Sequence, residues 1–167
     1  MFIVQIINNL KSVGRVIDQV KSDGNCLFES VSRQITDRRM NAARLRAMAC
    51  NEAEANAANY KVFLEETVQR NYSRLVRKTR ETKVWDNPLG DVMPTIIFNA
   101  LGQKPLIIFR HNNNPQVFPD PHPPITGNTI IIVQDASQTH YDATVPAPVS
   151  PVRAYQSSSD EVTGTCC

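Results

Sequence analysis

Apolar positions along the chain follow a helical period first and a strand pattern later. MFIVQII at 1–7 is apolar up to Asn8 and reads as a buried edge strand or a short helix. Residues 11–21 leave two readings open. Val13, Val16, Ile17 and Val20 mark one face of a short helix, while Arg15-to-Val20 alternates as a strand does. SDGN at 22–25 is a turn or helix start, and CLFESVSRQI follows with Leu27, Phe28, Val31 and Ile35 on one helical face. Cys26 therefore falls in the first turn of a helix whose apolar side enters the core. The alanine-rich stretch from Met40 to about Asn56 predicts a helix with Leu45, Met48 and Ala49 on one side. Another helix is predicted over Tyr60 to Arg70, and a further one on to Arg80. Trp85 to Gly90 reads as a loop. Asp91 is expected to cap a helix in which Pro94 takes the tolerated first turn, Ile96, Ile97, Ala100 and Leu101 pack inward, and Gly102 ends the element.

Beyond Gly102 the period changes. PLIIFR at 105–110 and TIIIVQ at 129–134 are short Ile-rich runs that read as buried strands. The segment between them is rich in Pro and Asn and is expected to be a loop. HYDATV at 140–145 is a third strand after a short turn. From Pro146 the chain turns to Pro, Ser, Thr and Ala, so residues 1–145 are expected to form the domain and 146–167 a disordered tail. Helices followed by a small sheet make the class α+β, a small central β-sheet flanked by helices.

Composition narrows the reading. The chain has 167 residues, 41% hydrophobic and 20% charged, enough for one domain with its own core. A formal net charge of +2 is too small to argue for a nucleic-acid partner, and none is expected. The apolar opening lacks a basic leader and a cleavage site and is too short to span a bilayer, so no membrane partner is expected. The four cysteines, Cys26, Cys50, Cys166 and Cys167, do not form a disulfide framework. With no secretory signal, free thiols in a reducing, cytoplasmic setting are expected. No cysteine or histidine has metal-ligand spacing, so neither a metal nor another cofactor is expected.

Three features carry chemistry. Cys26 stands at a helix start, where partial positive charge lowers a thiol pKa and favours the nucleophilic thiolate. His140 is a candidate base, able to take the thiol proton and return one to a leaving amine. Asp142 lies two residues on, on the same face of a strand, where a carboxylate fixes the imidazole tautomer. In the preceding loop, backbone N–H groups around Asp23, Gly24, Asn25 and Cys26 can converge on one spot as an oxyanion hole. Gly24 permits unusual dihedrals, and Asp23 can accept from following amides and hold the loop in shape.

Asp23-Gly24-Asn25-Cys26-Leu27-Phe28 resembles the nucleophile motif of the ovarian-tumour (OTU) family of deubiquitinases, and His140-Tyr141-Asp142 resembles that family's histidine motif. Leu45-Arg46, Trp85 with Gly90-Asp91, and an apolar strand before the histidine strand match the family's order. The resemblance covers residues 16–145. It departs from the common pattern where Asp86-Asn87-Pro88-Leu89 separate Trp85 from Gly90; many members have Trp-Gly directly. The resemblance implies a papain-like fold and a Cys26–His140–Asp142 triad, with Asp23 supporting the catalytic loop. It implies no metal, ubiquitin or polyubiquitin as partner, and hydrolysis of the isopeptide bond after ubiquitin's C-terminal glycine. Tyr141 resembles an aromatic lining the narrow channel for a Gly-Gly tail, and Trp85 is assigned to the same substrate-binding region. The protein is expected to act as a monomer.

Other readings stand beside this one. A non-catalytic ubiquitin-binding module and a protease for another ubiquitin-like modifier share these residues. Cys50 is expected to be a small buried hydrophobe. His111 and His122 are expected as solvated loop residues, and Trp85 also suits a core anchor. The basic run Arg70, Arg74, Arg77, Lys78, Arg80 and Lys83 reads as a solvated helix face, or as a dock for an acidic partner or nucleic acid. Cys166-Cys167 resembles a double-geranylgeranylation ending, a two-residue signal on which no anchor is predicted.

Overall fold

The computed structural model describes residues 2–149 except 82, 84, 86, 87 and 113. Its elements run α1 (Phe2–Ser12), β1 (Arg15–Asp18), α2 (Cys26–Ser32), α3 (Ala42–Ala55), α4 (Ala57–Lys61), α5 (Glu66–Arg70), α6 (Tyr72–Thr79), α7 (Met93–Ala100), β2 (Leu106–Phe109), β3 (Gln116–Phe118), β4 (Ile130–Gln134) and β5 (Tyr141–Pro146). The class is α+β, as expected. The five strands form one mixed sheet in the order β1-β5-β4-β2-β3, in which only β2 and β4 run parallel.

The Ile-rich runs are continuous rather than alternating because both faces of the sheet are covered. Leu106, Ile108, Ile130 and Ile132 face the main core, which α2, α3 and α7 close with Leu27, Phe28, Leu45, Ile96 and Ile97. Ile107, Phe109, Ile131 and Val133 face the other way, onto Ile6 and Leu10 of α1. The apolar opening of the chain is thus a helix, and the open choice over 11–21 resolves as strand β1, antiparallel to β5.

Several boundaries differ from expectation. The helix expected over Tyr60–Arg70 is two short helices, with Val62 and Phe63 exposed between them. α7 takes Val92, not Asp91, as its N-cap residue, with Pro94 in the first turn as expected. Gly102 at φ +65° ends α7, its amide donating to Asn99 O. The loop between β2 and β4 contains the edge strand β3, whose Gln116–Phe118 register on Leu106–Ile108. α2 ends at Ser32, so Ile35 packs on the core from a turn. The domain edge shifts slightly: Pro146 closes β5, and the Ala147 amide donates to Gly14 O. From 150 onward, the expected tail and Cys166-Cys167 lie outside the described residues.

Two polar side chains lock α2 to the sheet. Ser30 Oγ donates to Tyr141 O at 3.1 Å. The Gln34 amide pairs with the Ile131 backbone as a neighbouring strand would, donating to its carbonyl and accepting from its N–H, both at 2.9 Å. These bonds set α2 against the sheet, with Cys26 beside the start of β5.

Candidate active site

Cys26 opens α2 with only 3% of its surface exposed, and its Sγ donates to Thr139 O at 3.9 Å. The thiol therefore faces the residue that immediately precedes His140. His140 itself sits at the mouth of β5, and its Nε2 lies 3.1 Å from Asp142 Oδ1. A carboxylate only accepts, so this contact favours the tautomer with the proton on Nε2 and the lone pair on Nδ1. Nδ1 is buried and has no hydrogen-bond partner among the described residues. It is the ring nitrogen available to a thiol.

Asp142 does a second job. The same Oδ1 accepts from the Val20 amide at 2.9 Å. Val20 follows β1, and β1 pairs with β5 through Asp18 and Ala143. The carboxylate therefore joins the imidazole to the stem of the loop that carries the cysteine.

The turn before His140 is built by Asp135. Its Oδ1 accepts from the amides of Thr139 at 3.2 Å and His140 at 3.1 Å, and its own amide donates to His140 O at 3.0 Å. Burial opposes ionisation of Asp135, yet bonds from the Ser137 hydroxyl and the His140 and Thr139 amides outweigh it and hold the carboxyl below its ordinary range. Sequence reasoning did not single out Asp135; a Thr/Ser-rich turn after a buried strand was the available signal.

The loop 22–25 behaves in part as expected. Asp23 Oδ1 accepts from the Asn25 amide at 3.1 Å, and Gly24 has φ +78°. A Cβ on Gly24 would lie 2.2 Å from Lys83 O, so this position needs glycine twice over, for its dihedral and for the close approach. The expected convergence of four amides is corrected to fewer. The Asp23 amide is spent on Lys21 O and the Asn25 amide on Asp23, so that among the described residues only those of Gly24 and Cys26 are left without a partner.

The thiol pKa also runs against the expectation from a helix start. Burial pushes the Cys26 thiol above its ordinary value, opposed by the amides of Tyr141, Leu27 and Cys26 and reinforced by the charge of Asp23. A seven-residue helix and three amides do not outweigh removal from water. Burial therefore favours the neutral thiol over the thiolate.

Trp85 meets Phe28 and Tyr141 edge-on, with ring centroids 6.1 and 6.3 Å away. It is half-buried and also borders a cavity of about 290 Å³ with Asp91, Arg110, Gln138, Thr139 and Tyr141. Trp85 thus packs against the core, as one reading had it, and also faces a cavity. Tyr141 is 3% exposed, and its hydroxyl accepts from Gln134 Nε2, so it forms a back wall of that cavity. A second cavity, about 310 Å³, follows the loop and is lined by Val20, Asp23, Asn25, Glu29 and Arg33.

Residues outside the site behave quietly. Cys50 is a buried free thiol whose Sγ donates to Val76 O at 3.8 Å. His111 and His122 are half-buried rather than fully solvated. The basic run is more opposed by carboxylates than its own segment suggested: Arg70 pairs with Glu66 and Arg80 with Glu54. Among the described residues no group of three or more His, Cys, Asp or Glu side chains is arranged to hold a metal ion.

A family model for OTU-like cysteine proteases matches residues 21–161. The chain belongs to the OTU-like cysteine protease family. Its fold is that of solved OTU domains. The OTU domain of OTUD1 aligns with TM-score 0.63 and 14% identity over 86% of this chain and 93% of that one. An OTU deubiquitinase from Wolbachia pipientis wMel aligns with TM-score 0.61 and 15% identity over 80% and 89%. The Hazara virus OTU bound to ubiquitin aligns with TM-score 0.57 and 13% identity over 82% and 84%. No curated protein sequence matches the chain significantly.

Proposed function

We propose that this OTU-family chain is a thiol-dependent deubiquitinase that cuts the isopeptide bond after ubiquitin's C-terminal glycine. The observation that carries the reading is the His140 Nε2–Asp142 Oδ1 contact at 3.1 Å, with the unpartnered Nδ1 and a thiol aimed at the carbonyl preceding His140. His140 Nδ1 takes the Cys26 proton, and Sγ attacks the carbonyl carbon of the glycine. The oxyanion accepts from the backbone amides of Gly24 and Cys26. The imidazolium, steadied by Asp142, passes its proton to the leaving lysine amine as the C–N bond breaks. Water, deprotonated by the same imidazole, then cleaves the thioester and restores the thiol. Burial of Cys26 supports a division of labour in which the thiolate forms only as the base acts.

Ubiquitin as the modifier is supported by relatives whose structures hold it, the Hazara virus OTU and a second OTU domain in complex with ubiquitin. The free, buried thiols of Cys26 and Cys50 suit a reducing, cytoplasmic setting. The test is reaction with ubiquitin carrying a thiol-reactive C-terminal warhead, read by intact mass. A single adduct that disappears in Cys26→Ala, while that variant still binds ubiquitin, is the expected result. Turnover surviving in Cys26→Ala removes Cys26 from the mechanism. Ubiquitin binding without an adduct in the reduced wild type replaces the enzyme with a binding module.

A further inference from the structure

Arg46 is among the largest fully buried side chains, 1% exposed, on the otherwise apolar stripe of α3 that includes Leu45, Ala49, Cys50 and Ala53. A buried guanidinium persists only with close partners. Arg46 Nη2 donates to Gly24 O at 2.6 Å and to Asn25 Oδ1 at 2.7 Å, and Nη1 donates to Thr79 O at 2.8 Å. Its plane lies over the Phe28 ring, 4.4 Å from the centroid. Asn25 Oδ1 also accepts from the Lys83 amide at 3.2 Å, and the Lys83 carbonyl presses on Gly24 closely enough to exclude any Cβ there. The cysteine loop is thus gripped between α3 and the chain after α6.

This grip sets peptide planes. In a trans peptide, C=O and N–H point in opposite directions. Gly24 O turns inward to Arg46, so the Asn25 N–H turns the other way, to Asp23. Asn25 O accepts the first bond of α2, from the Glu29 amide at 2.8 Å, so the Cys26 N–H points back off the helix end. With the Asn25 side chain also held, the plane bearing the Cys26 N–H has little freedom.

We infer that Arg46 is a positioning residue for the oxyanion-binding loop: through Gly24 O and Asn25 Oδ1 it orients the Cys26 amide toward the developing oxyanion. The inference rests on the proposed isopeptidase reaction and deepens it. It assigns to Arg46 an effect on the tetrahedral state rather than on ubiquitin binding or thiol access. A lysine cannot substitute, because one ammonium does not span three acceptors that a planar fork reaches.

The experiment compares wild type, Arg46→Lys and Asn25→Ala, each confirmed folded by thermal melting. The second variant removes the shared acceptor while leaving the buried cation's other carbonyl partners, and so tests the idea if Arg46→Lys does not fold. Three measurements are made with ubiquitin-based reagents. On a ubiquitin C-terminal fluorophore, kcat falls by about 10²-fold, the scale of losing one oxyanion donor, with KM within a few fold. A ubiquitin C-terminal aldehyde, whose carbonyl adds the thiol to give a tetrahedral hemithioacetal, inhibits at least tenfold less well. A ubiquitin C-terminal bromoethylamide, from which the thiolate displaces bromide with no oxyanion formed, labels at close to the wild-type rate. Equal losses with aldehyde and bromide overturn the inference, since Arg46 then acts on the thiol or on binding. Unchanged aldehyde inhibition in the folded variants also overturns it. Wild type inert to both reagents overturns the ubiquitin reading itself, a failure visible before any variant is made.

Discussion

Replacing Asp142 with alanine removes two bonds that end on one oxygen, and the two have separable consequences. Oδ1 accepts from the Val20 amide at 2.9 Å and from His140 Nε2 at 3.1 Å. Val20 is 8% exposed, so its amide would lose a charged acceptor in a largely dry place. Leaving such a donor unpaired costs ~1–3 kcal/mol. In a domain of this size each kcal/mol moves the melting midpoint by roughly 2–4 °C, so Asp142→Ala should melt roughly 2–12 °C below wild type. The freed imidazole also loses its orientation, and misplacement by an ångström costs about 10²-fold in rate. Asp142→Asn separates the effects. Its amide oxygen still accepts from Val20, so most of the stability should remain. The imidazolium gains only a neutral partner, a loss of roughly 1.4 kcal/mol of charge-assisted bonding, or about tenfold in kcat/KM. Thermal melts by circular dichroism and hydrolysis of a ubiquitin C-terminal fluorophore give both quantities. Asp142→Ala with wild-type melting and wild-type kcat/KM would refute the reasoning. Equal melting of the Ala and Asn variants would refute the part assigned to Val20.

Two further perturbations address the loop and the core. Gly24→Ala places a Cβ 2.2 Å from Lys83 O at φ +78°, so the loop must move; at least 1–2 kcal/mol of stability (~, for the left-handed dihedral alone) and about 10²-fold in kcat/KM should be lost. Melting and turnover equal to wild type would show that the loop adapts freely. Alkaline pH tests the buried phenols. Burial raises Tyr60, Tyr72 and Tyr141 from an ordinary 10.0 to about 12, so the folded state holds these protons more tightly than the unfolded chain. Their contribution to stability is complete below pH 10.0 and is lost as pH rises toward about 12. Absorbance of tyrosinate at about 295 nm, followed with circular dichroism, should show these phenols ionising as the fold melts. Ionisation of all tyrosines near 10 in a still-folded protein would sink this account.

The sequence by itself determined what depends on local order and on repeated side-chain type. The Ile-rich runs at 105–110 and 129–134 read as buried strands, and Cys26 after Asp23-Gly24-Asn25 reads as the opening of the helix that carries Leu27, Phe28 and Val31 inward. The pairing of His140 with Asp142 was legible because residues two apart at a strand start share a face. Where two local readings had equal merit, as over 11–21, partners decided: β1 is a strand because β5 offers it a register. The short β3 carries too few apolar residues to stand out, and it exists because β2 has an edge to fill. Tertiary structure alone gave the direction in which the thiol pKa moves. A helix start argues for a low pKa, but Cys26 is buried, and desolvation outweighs the amides of Tyr141, Leu27 and Cys26 that favour the thiolate. It also gave Arg46 its partners, Gly24, Asn25 and Thr79, which lie 22, 21 and 33 residues away. A guanidinium can be buried only where acceptors converge on it, here two backbone carbonyls and the Asn25 side-chain oxygen, and convergence of that kind is a property of the folded chain.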